Sequence, residues 1–232
     1  MTQNAHSSSH SNAHSHSNSS HKSQHHDQHG HGKEGPQWHA VRQGHEGKVH
    51  RHRPATHGAE TCVYPLSLRI SSELHDPINE LRKHYFPAHR LKVPAHLTLF
   101  HALPHSRIDD VKQTLDRVSK ATHKFKVTSG KVFKMGEQGV AIDPAEGTEQ
   151  GKRLHGELKK DWHEFLSQQD SKSFRAHWTI MNKEDDKEKV EKALQECREW
   201  EREGEKVGQA TGLVLWRYNH GEWVFEQEWD FQ

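Results

Sequence analysis

Hydrophobic and polar residues alternate along some segments of the chain and recur every three or four positions along others. Residues 62–70 place Tyr64, Leu66, Leu68 and Ile70 on one face, which predicts a half-buried strand. The same reading predicts further strands at 95–100, 124–136, 139–144 and 175–182, helices at 73–84, 106–121, 148–168 and 185–203, and a closing hairpin of strands at 210–218 and 221–231.

These elements lie within residues 61–232 and mix strands with helices. The order is β-α-β-α, then two or three strands, then α-β-α-β-β, because the segment 124–136 fits either one strand or two. This pattern predicts one α+β domain whose sheet faces are covered by helices. Each half of it contains a short strand followed by a helix, which indicates an internal pseudo-repeat of structure.

Residues 1–60 have a different composition from the rest of the chain. They hold 14 of the 25 histidines and nine serines, and they have almost no Leu, Ile or Phe. Such a segment buries too little apolar surface to offset its chain entropy, so we expect a disordered tail. Its imidazoles, such as His14 and His16, are expected to bind divalent metal only incidentally, or to act as charges that respond to pH.

Charge and composition exclude several function classes. Residues 61–232 carry 27 basic and 28 acidic residues, so a generally basic nucleic-acid binder is not indicated. We expect no membrane partner, because no run approaches the ~18 apolar residues of a membrane span. Residues 1–20 lack the apolar core of a secretory signal, and Cys62 and Cys197 fit no metal-binding spacing. We therefore expect free thiols, a cytoplasmic location with the nucleus as the alternative, and a monomer.

The chemistry is indicated by one short pattern that occurs twice, as HLTL at 96–99 and HWTI at 177–180. Composition alone gives two matches of this kind only about one or two times in a hundred. On a strand, residues two apart share a face, so His96 lies beside Thr98 and His177 beside Thr179, while the residues between them face the core. A single such pair is most often a half-exposed histidine next to a strand-favouring threonine.

If the two polar faces are opposed, four side chains meet in one groove. Two imidazoles can then serve as general base and general acid, and two hydroxyls can donate hydrogen bonds to phosphate oxygens. This set suits attack on a phosphodiester without a metal or other cofactor. The polar face of the first strand adds Ser67 and Arg69 as groove-lining candidates, whereas strict alternation places His101 on the opposite face, as a strand-end or loop residue.

At these residues the sequence resembles the 2H phosphoesterase superfamily, and within it the 2′-5′ RNA ligase and 2′,3′-cyclic phosphodiesterase-like proteins. The likeness extends to the strings at 94–104 and 174–183 and covers residues 61–232. It implies a bilobal α+β fold with pseudo-twofold symmetry, two antiparallel or mixed sheets and outer helices. It further implies hydrolysis of a cyclic or linear phosphodiester without metal, or reversible 2′-5′ ligation of RNA.

The resemblance also implies roles for single residues. His96 and His177 would be the catalytic imidazoles, with His177 activating water and His96 protonating the leaving oxygen. Thr98 and Thr179 would bind the phosphate oxygens. Many family members have an arginine shortly after the second motif, where this chain has Asn182 and Lys183, so Lys183 is a candidate for that charge.

The sequence is compatible with alternatives for two further groups of residues and with four functional hypotheses. Arg175 shares the strand parity of His177 and can reach the groove, or it is an exposed strand-end arginine. Trp216, Tyr218, Trp223 and Trp229 are expected to cover the core or the sheet edge rather than to stack on a base. The hypotheses are a phosphodiesterase acting on RNA or nucleotides with a cyclic phosphate, an RNA ligase, a non-catalytic nucleotide- or RNA-binding domain, and a metal-handling protein defined by its tail.

Overall fold

The computed structural model describes residues 52–232. Most of the tail predicted from the sequence, and with it His14 and His16, therefore lies outside the described residues. Residues 52–60, which the sequence assigns to the tail, lie against the domain instead. Pro54 is buried, Ala55 N–H donates to the Phe165 carbonyl, and Glu60 accepts from the backbone N–H and hydroxyl of Ser106. Residues 54–60 therefore make specific contacts with the domain.

Within residues 52–232, seven strands and four α-helices follow the predicted order. The strands are β1 (Val63–Ile70), β2 (Leu97–Pro104), β3 (Phe125–Lys134), β4 (Val140–Pro144), β5 (Trp178–Met181), β6 (Val207–Asn219) and β7 (Glu222–Asp230). The helices are α1 (Ser72–Tyr85), α2 (Ile108–Ala121), α3 (Thr148–Trp162) and α4 (Lys187–Arg202). The segment 124–136 forms one strand, and the helix expected at 148–168 ends six residues earlier.

All strand pairs are antiparallel, in the order β2-β1-β6-β3-β4-β5, and β7 also pairs with β6. The α+β class is therefore confirmed. The long strand β6 links the two groups of strands, because its first residues pair with β3 and its later residues pair with β1 and β7. The two H-x-T motifs lie on β2 and β5, the two ends of this strand order.

Several helices pack on strands that are distant from them in the chain. The first helix, α1, contacts β5, and α4 packs on β3 and β4. The helix α3 packs toward β2, where the rings of Phe100 and Trp162 meet at 5.0 Å. Both rings are fully buried, so the contact between α3 and β2 is part of the core. No helix of residues 52–232 is long and apolar enough to cross a membrane.

Candidate active site

The first H-x-T motif lies where the loop after α1 enters β2. His96 directly precedes the strand and is half-buried, as is Thr98. Leu97 and Leu99 are buried, which confirms their predicted core position. The apolar neighbours thus fix the strand, and the imidazole and the hydroxyl lie on its other face.

The second motif repeats this arrangement on β5. His177 directly precedes the strand, Trp178 and Ile180 are fully buried, and Thr179 is half-buried. Neither Thr98 nor Thr179 has a hydrogen-bond partner for its hydroxyl among residues 52–232. Both hydroxyls are therefore available to a ligand.

Both motif histidines are held in the same way. His96 Nδ1 lies 2.7 Å from the Pro94 carbonyl oxygen, and His177 Nδ1 lies 3.2 Å from that of Arg175. A carbonyl oxygen only accepts, so each Nδ1 carries the proton and each Nε2 becomes the proton acceptor. Two imidazoles with the same tautomer, each fixed from two residues upstream, are oriented for proton transfer at Nε2.

One buried arginine joins the two motifs. Arg82 of α1 donates from Nε to the Val93 carbonyl at 3.0 Å and from Nη1 to the Thr179 carbonyl at 2.6 Å. It is only 5% exposed and stacks on Phe86, and no carboxylate among residues 52–232 pairs with it. Burial lowers the pKa of Arg82 to about 10, which leaves it charged at neutral pH. Asn79 adds a bond to the backbone N–H of Ala95, so α1 holds the segment before His96 at two points.

The environment makes both imidazoles weak bases in the free protein. Burial lowers the pKa of His96 to about 3. The bond to Pro94 acts in the opposite direction and raises this pKa, whereas the charges of Arg82, His101 and His177 lower it further. Burial also lowers the pKa of His177, while its bond to Arg175 and the charge of Asp143 raise it. The charge of His177 acts on His96, so the two imidazoles are electrostatic neighbours.

The neighbours across each strand differ in charge. Ile142 pairs with Trp178, and continuing that register places Asp143 opposite His177. One carboxylate oxygen of Asp143 is buried without a hydrogen-bond partner. In the first half, the register of Leu68 with Leu97 places Arg69 opposite His96. The otherwise similar motifs therefore have an aspartate across the strand pair from His177 and an arginine across from His96.

His101 lies on the site face, and the expectation from strict alternation is wrong. Leu66 pairs with Phe100 and the next residue, Ser67, pairs with Thr98, so Leu99 is the extra residue of a β-bulge. The bulge shifts the alternation by one position, which turns His101 to the face of Thr98.

His101 is a residue of β2 and is held in place by an acidic partner from the loop before β5. Its Nδ1 lies 3.1 Å from the Asp170 carboxylate, and its charge lowers the pKa of both His96 and His177. Asp170 is buried and also accepts from the backbone N–H groups of His101 and Ala102. Bonds from His101 hold the pKa of Asp170 below its ordinary value.

The two further basic candidates have different positions. Arg175 is exposed, with its guanidinium 5.4 Å from the centre of the Phe133 ring, and its charge lowers the pKa of His177. Lys183 is exposed, lies beyond the end of β5 at Met181, and has a left-handed φ of 58°. The strand that positions His177 therefore does not orient Lys183, and among residues 52–232 Lys183 forms no hydrogen bond or ion pair with either motif.

A cavity of about 300 Å³ adjoins His96. It is lined by Ser67 and Arg69, the two groove-lining candidates of β1, and by the aromatic rings of Trp216 and Phe225. No group of three or more His, Cys, Asp or Glu residues within 52–232 is arranged to hold a metal ion.

The chain resembles a known family in sequence and known structures in fold. Residues 70–222 match the 2′-5′ RNA ligase superfamily. Escherichia coli LigT complexed with 3′-AMP is 12% identical, with a TM-score of 0.51 over 74% of this chain and 98% of that chain. The protein TT0787 of Thermus thermophilus is 15% identical, with a TM-score of 0.51 over 73% of this chain and 97% of that chain. No curated protein matches the sequence.

The family match covers the part of the molecule that holds the site described above. The low identities to the solved structures show a shared fold, and the family match spans most of the chain, including both H-x-T motifs. This chain belongs to the 2′-5′ RNA ligase superfamily, the group of 2H phosphoesterases.

Proposed function

We propose that the protein is a metal-independent phosphodiesterase that hydrolyses the 2′,3′-cyclic phosphate of RNA ends or nucleotides. The observation that carries this proposal is the matched geometry of His96 and His177, each held by a backbone carbonyl two residues upstream. This geometry supplies an acid and a base of the same kind without a metal ion.

In the proposed reaction, one imidazole takes a proton from water through Nε2 as the water oxygen bonds to phosphorus. The bond from phosphorus to one ribose oxygen breaks, and the other imidazole donates a proton to that oxygen. The hydroxyls of Thr98 and Thr179 donate to the nonbridging phosphate oxygens, on which negative charge accumulates.

The resemblance assigns the base to His177 and the acid to His96. In the free protein the pKa of His96 is lowered to about 3, whereas Asp143 and the bond to Arg175 partly offset the lowering at His177. A proton shared by the pair therefore rests on His177 before substrate binds. For His96 to act as the acid, the proton must move to it when the anionic phosphodiester enters the site.

The direct test is hydrolysis of adenosine 2′,3′-cyclic phosphate and of RNA with a cyclic-phosphate end, each with EDTA. We expect turnover that EDTA does not reduce and that His177→Ala lowers by a factor of about 10² to 10⁴. The control is His163→Ala, because this exposed imidazole also bonds to a backbone carbonyl, that of Lys160, but lies outside the site. Turnover that requires a divalent metal, or nucleotide binding without turnover, would contradict the proposal.

The family match favours a second candidate, 2′-5′ RNA ligation. The same four motif side chains would act in the reverse direction, with a 5′-hydroxyl replacing water. Labelled RNA halves, one ending in a cyclic phosphate and one beginning with a 5′-hydroxyl, separate the two candidates. A joined product would establish ligation, and its absence together with hydrolysis of the cyclic phosphate would leave the phosphodiesterase.

A further inference from the structure

Asp143 of β4 lies on the face of the sheet that carries the second H-x-T motif. Ile142 pairs with Trp178, and both of these side chains are fully buried in the core. Strand alternation turns their neighbours, Asp143 and His177, to the opposite face, which Thr179 shares. The Asp143 carboxylate therefore lies across the strand pair from the His177 imidazole, on the face of the candidate active site.

The charge of Asp143 acts on the His177 imidazole. Burial lowers the pKa of His177, and the charge of Asp143 acts in the opposite direction. Across the strand pair from His96 the sequence has Arg69 instead, with its guanidinium paired to two carboxylates. Of the two motifs, only that of His177 thus has an acidic residue at this position.

The Asp143 carboxylate has no protein partner within residues 52–232. One of its oxygens is buried without a hydrogen-bond partner, and the side chain forms neither a hydrogen bond nor an ion pair. The buried carboxylate of Asp170 differs, because it accepts from the backbone N–H groups of His101 and Ala102. A buried, unpaired oxygen on a charged group is costly, so such an oxygen in a site indicates a ligand that donates to it.

The ligand that suits this oxygen donates a hydrogen bond and carries no negative charge. A carboxylate oxygen only accepts, and it repels the oxygens of a phosphodiester. The 2′ and 3′ oxygens of a cyclic phosphate are both bound to phosphorus and therefore offer no O–H group. A water molecule that attacks the phosphorus from the side of His177 fits, since it has two O–H groups and no charge.

We infer that Asp143 binds the attacking water together with His177 and thereby selects water over an alcohol as the nucleophile. This inference rests on the proposed function, because it takes hydrolysis of a phosphodiester with His177 as the base. As the water oxygen bonds to phosphorus, one of its protons moves to His177 Nε2 and the other donates to Asp143 Oδ1. The bond from phosphorus to one ribose oxygen breaks, and that oxygen takes a proton from His96, which gives a phosphomonoester.

An alcohol fits the same position less well than water. Its single O–H proton moves to His177, so the carbon attached to its oxygen faces the carboxylate in place of a donor. The buried oxygen of Asp143 then stays unpaired during the attack. The 5′-hydroxyl of an RNA is an alcohol of this kind, so Asp143 favours hydrolysis over ligation in this chain.

The test measures how the full-length protein divides adenosine 2′,3′-cyclic phosphate between water and methanol, in dilute methanol with EDTA. Hydrolysis gives adenosine monophosphate and methanolysis gives its methyl ester, and chromatography separates the two products. Their ratio reports the choice of nucleophile, so a general loss of activity does not change it. The variants are Asp143→Ala, which removes the acceptor, and Asp143→Asn, which keeps a weaker acceptor of similar size. The matched control is Thr98→Ala, because Thr98 belongs to the other motif and in the proposed reaction donates only to the phosphate.

We expect Asp143→Ala to raise the ratio of methyl ester to monophosphate about 10-fold or more, because only hydrolysis loses a hydrogen bond to a charged group. Asp143→Asn should raise this ratio by less. Thr98→Ala should lower turnover and leave the ratio unchanged. A ratio in Asp143→Ala equal to that of the wild type would overturn the inference, and Asp143→Asn decides in the same way if the alanine variant does not fold.

The outcomes separate this inference from the proposed function. Metal-independent hydrolysis with a product ratio that neither Asp143 variant changes would overturn the inference and leave the phosphodiesterase intact. With RNA halves in place of methanol, joining by the wild type in preference to hydrolysis would overturn the selection of water directly. A wild type that uses neither water nor an alcohol would contradict the proposed function, and the inference with it.

Discussion

The pH dependence of turnover is the sharpest consequence of the site's electrostatics. Burial is the largest cause of the lowered pKa at both His96 and His177, so both pKa values lie below the ordinary 6.5. Acid–base catalysis by the pair requires one imidazole with a proton and one without. The singly protonated pair therefore becomes scarcer as the pH rises above the higher of the two pKa values.

The magnitude follows from the titration curve. For a histidine with the ordinary pKa of 6.5, the protonated fraction falls about 3-fold between pH 6 and pH 7. A lowered pKa makes this fall steeper, up to the limit of about 10-fold per pH unit. We therefore expect kcat/KM to fall by more than about 3-fold between pH 6 and pH 7, and by about 8- to 10-fold between pH 7 and pH 8.

The assay measures kcat/KM for adenosine 2′,3′-cyclic phosphate from pH 5 to pH 8 at constant ionic strength with EDTA. Since kcat/KM reports the groups of the free protein, its profile can be compared directly with the structure. Circular dichroism at each pH checks that the protein stays folded. A value of kcat/KM that is flat or rising between pH 6 and pH 7 would refute the lowered pKa values.

Three further substitutions test neighbouring parts of the account. Asp143→Asn removes the charge that raises the pKa of His177, so the alkaline limb of the kcat/KM profile should move to lower pH. An unmoved limb would contradict the effect of Asp143 on the pKa of His177. Arg82→Gln should lower kcat about 10- to 100-fold because both motifs lose their shared anchor, with partial recovery in Arg82→Lys; an unchanged kcat would contradict the anchoring role. His155 is 5% exposed and its pKa is lowered by burial to about 4, so its neutral form stabilises the fold above pH 6.5 and this stability is lost as the pH falls toward 4. Urea unfolding should show His155→Phe gaining about 2 kcal/mol relative to the wild type between pH 7.5 and pH 5, and a constant difference would exclude a buried neutral histidine.

Local sequence patterns predict the elements and the motif faces because each depends on spacing of a few residues. The buried Leu97 and Trp178, with their half-exposed threonine neighbours, follow directly from strand alternation. The bulge at Leu99 does not follow, since it depends on how β2 pairs with β1. That one extra residue reverses the expectation for His101.

Long-range contacts explain the other differences between sequence and structure. Arg82 lies 97 positions before Thr179, and the helical pattern of α1 identifies its apolar face but not a buried charge. Phe225 reads as one more strand aromatic, and only the pairing with Trp216 and the contact between Trp223 and His96 show that it borders the site. Lys183 follows β5 too late for strand parity to orient it.

The central claim is that His96 and His177 act together as the acid and the base. The most direct measurement is kcat for adenosine 2′,3′-cyclic phosphate, with EDTA, in His96→Ala, His177→Ala and the double variant. Because the two imidazoles serve one proton-transfer cycle, we expect each single substitution to lower kcat by about 10² to 10⁴ and the double variant to lose little more. Wild-type kcat in the double variant would contradict the claim.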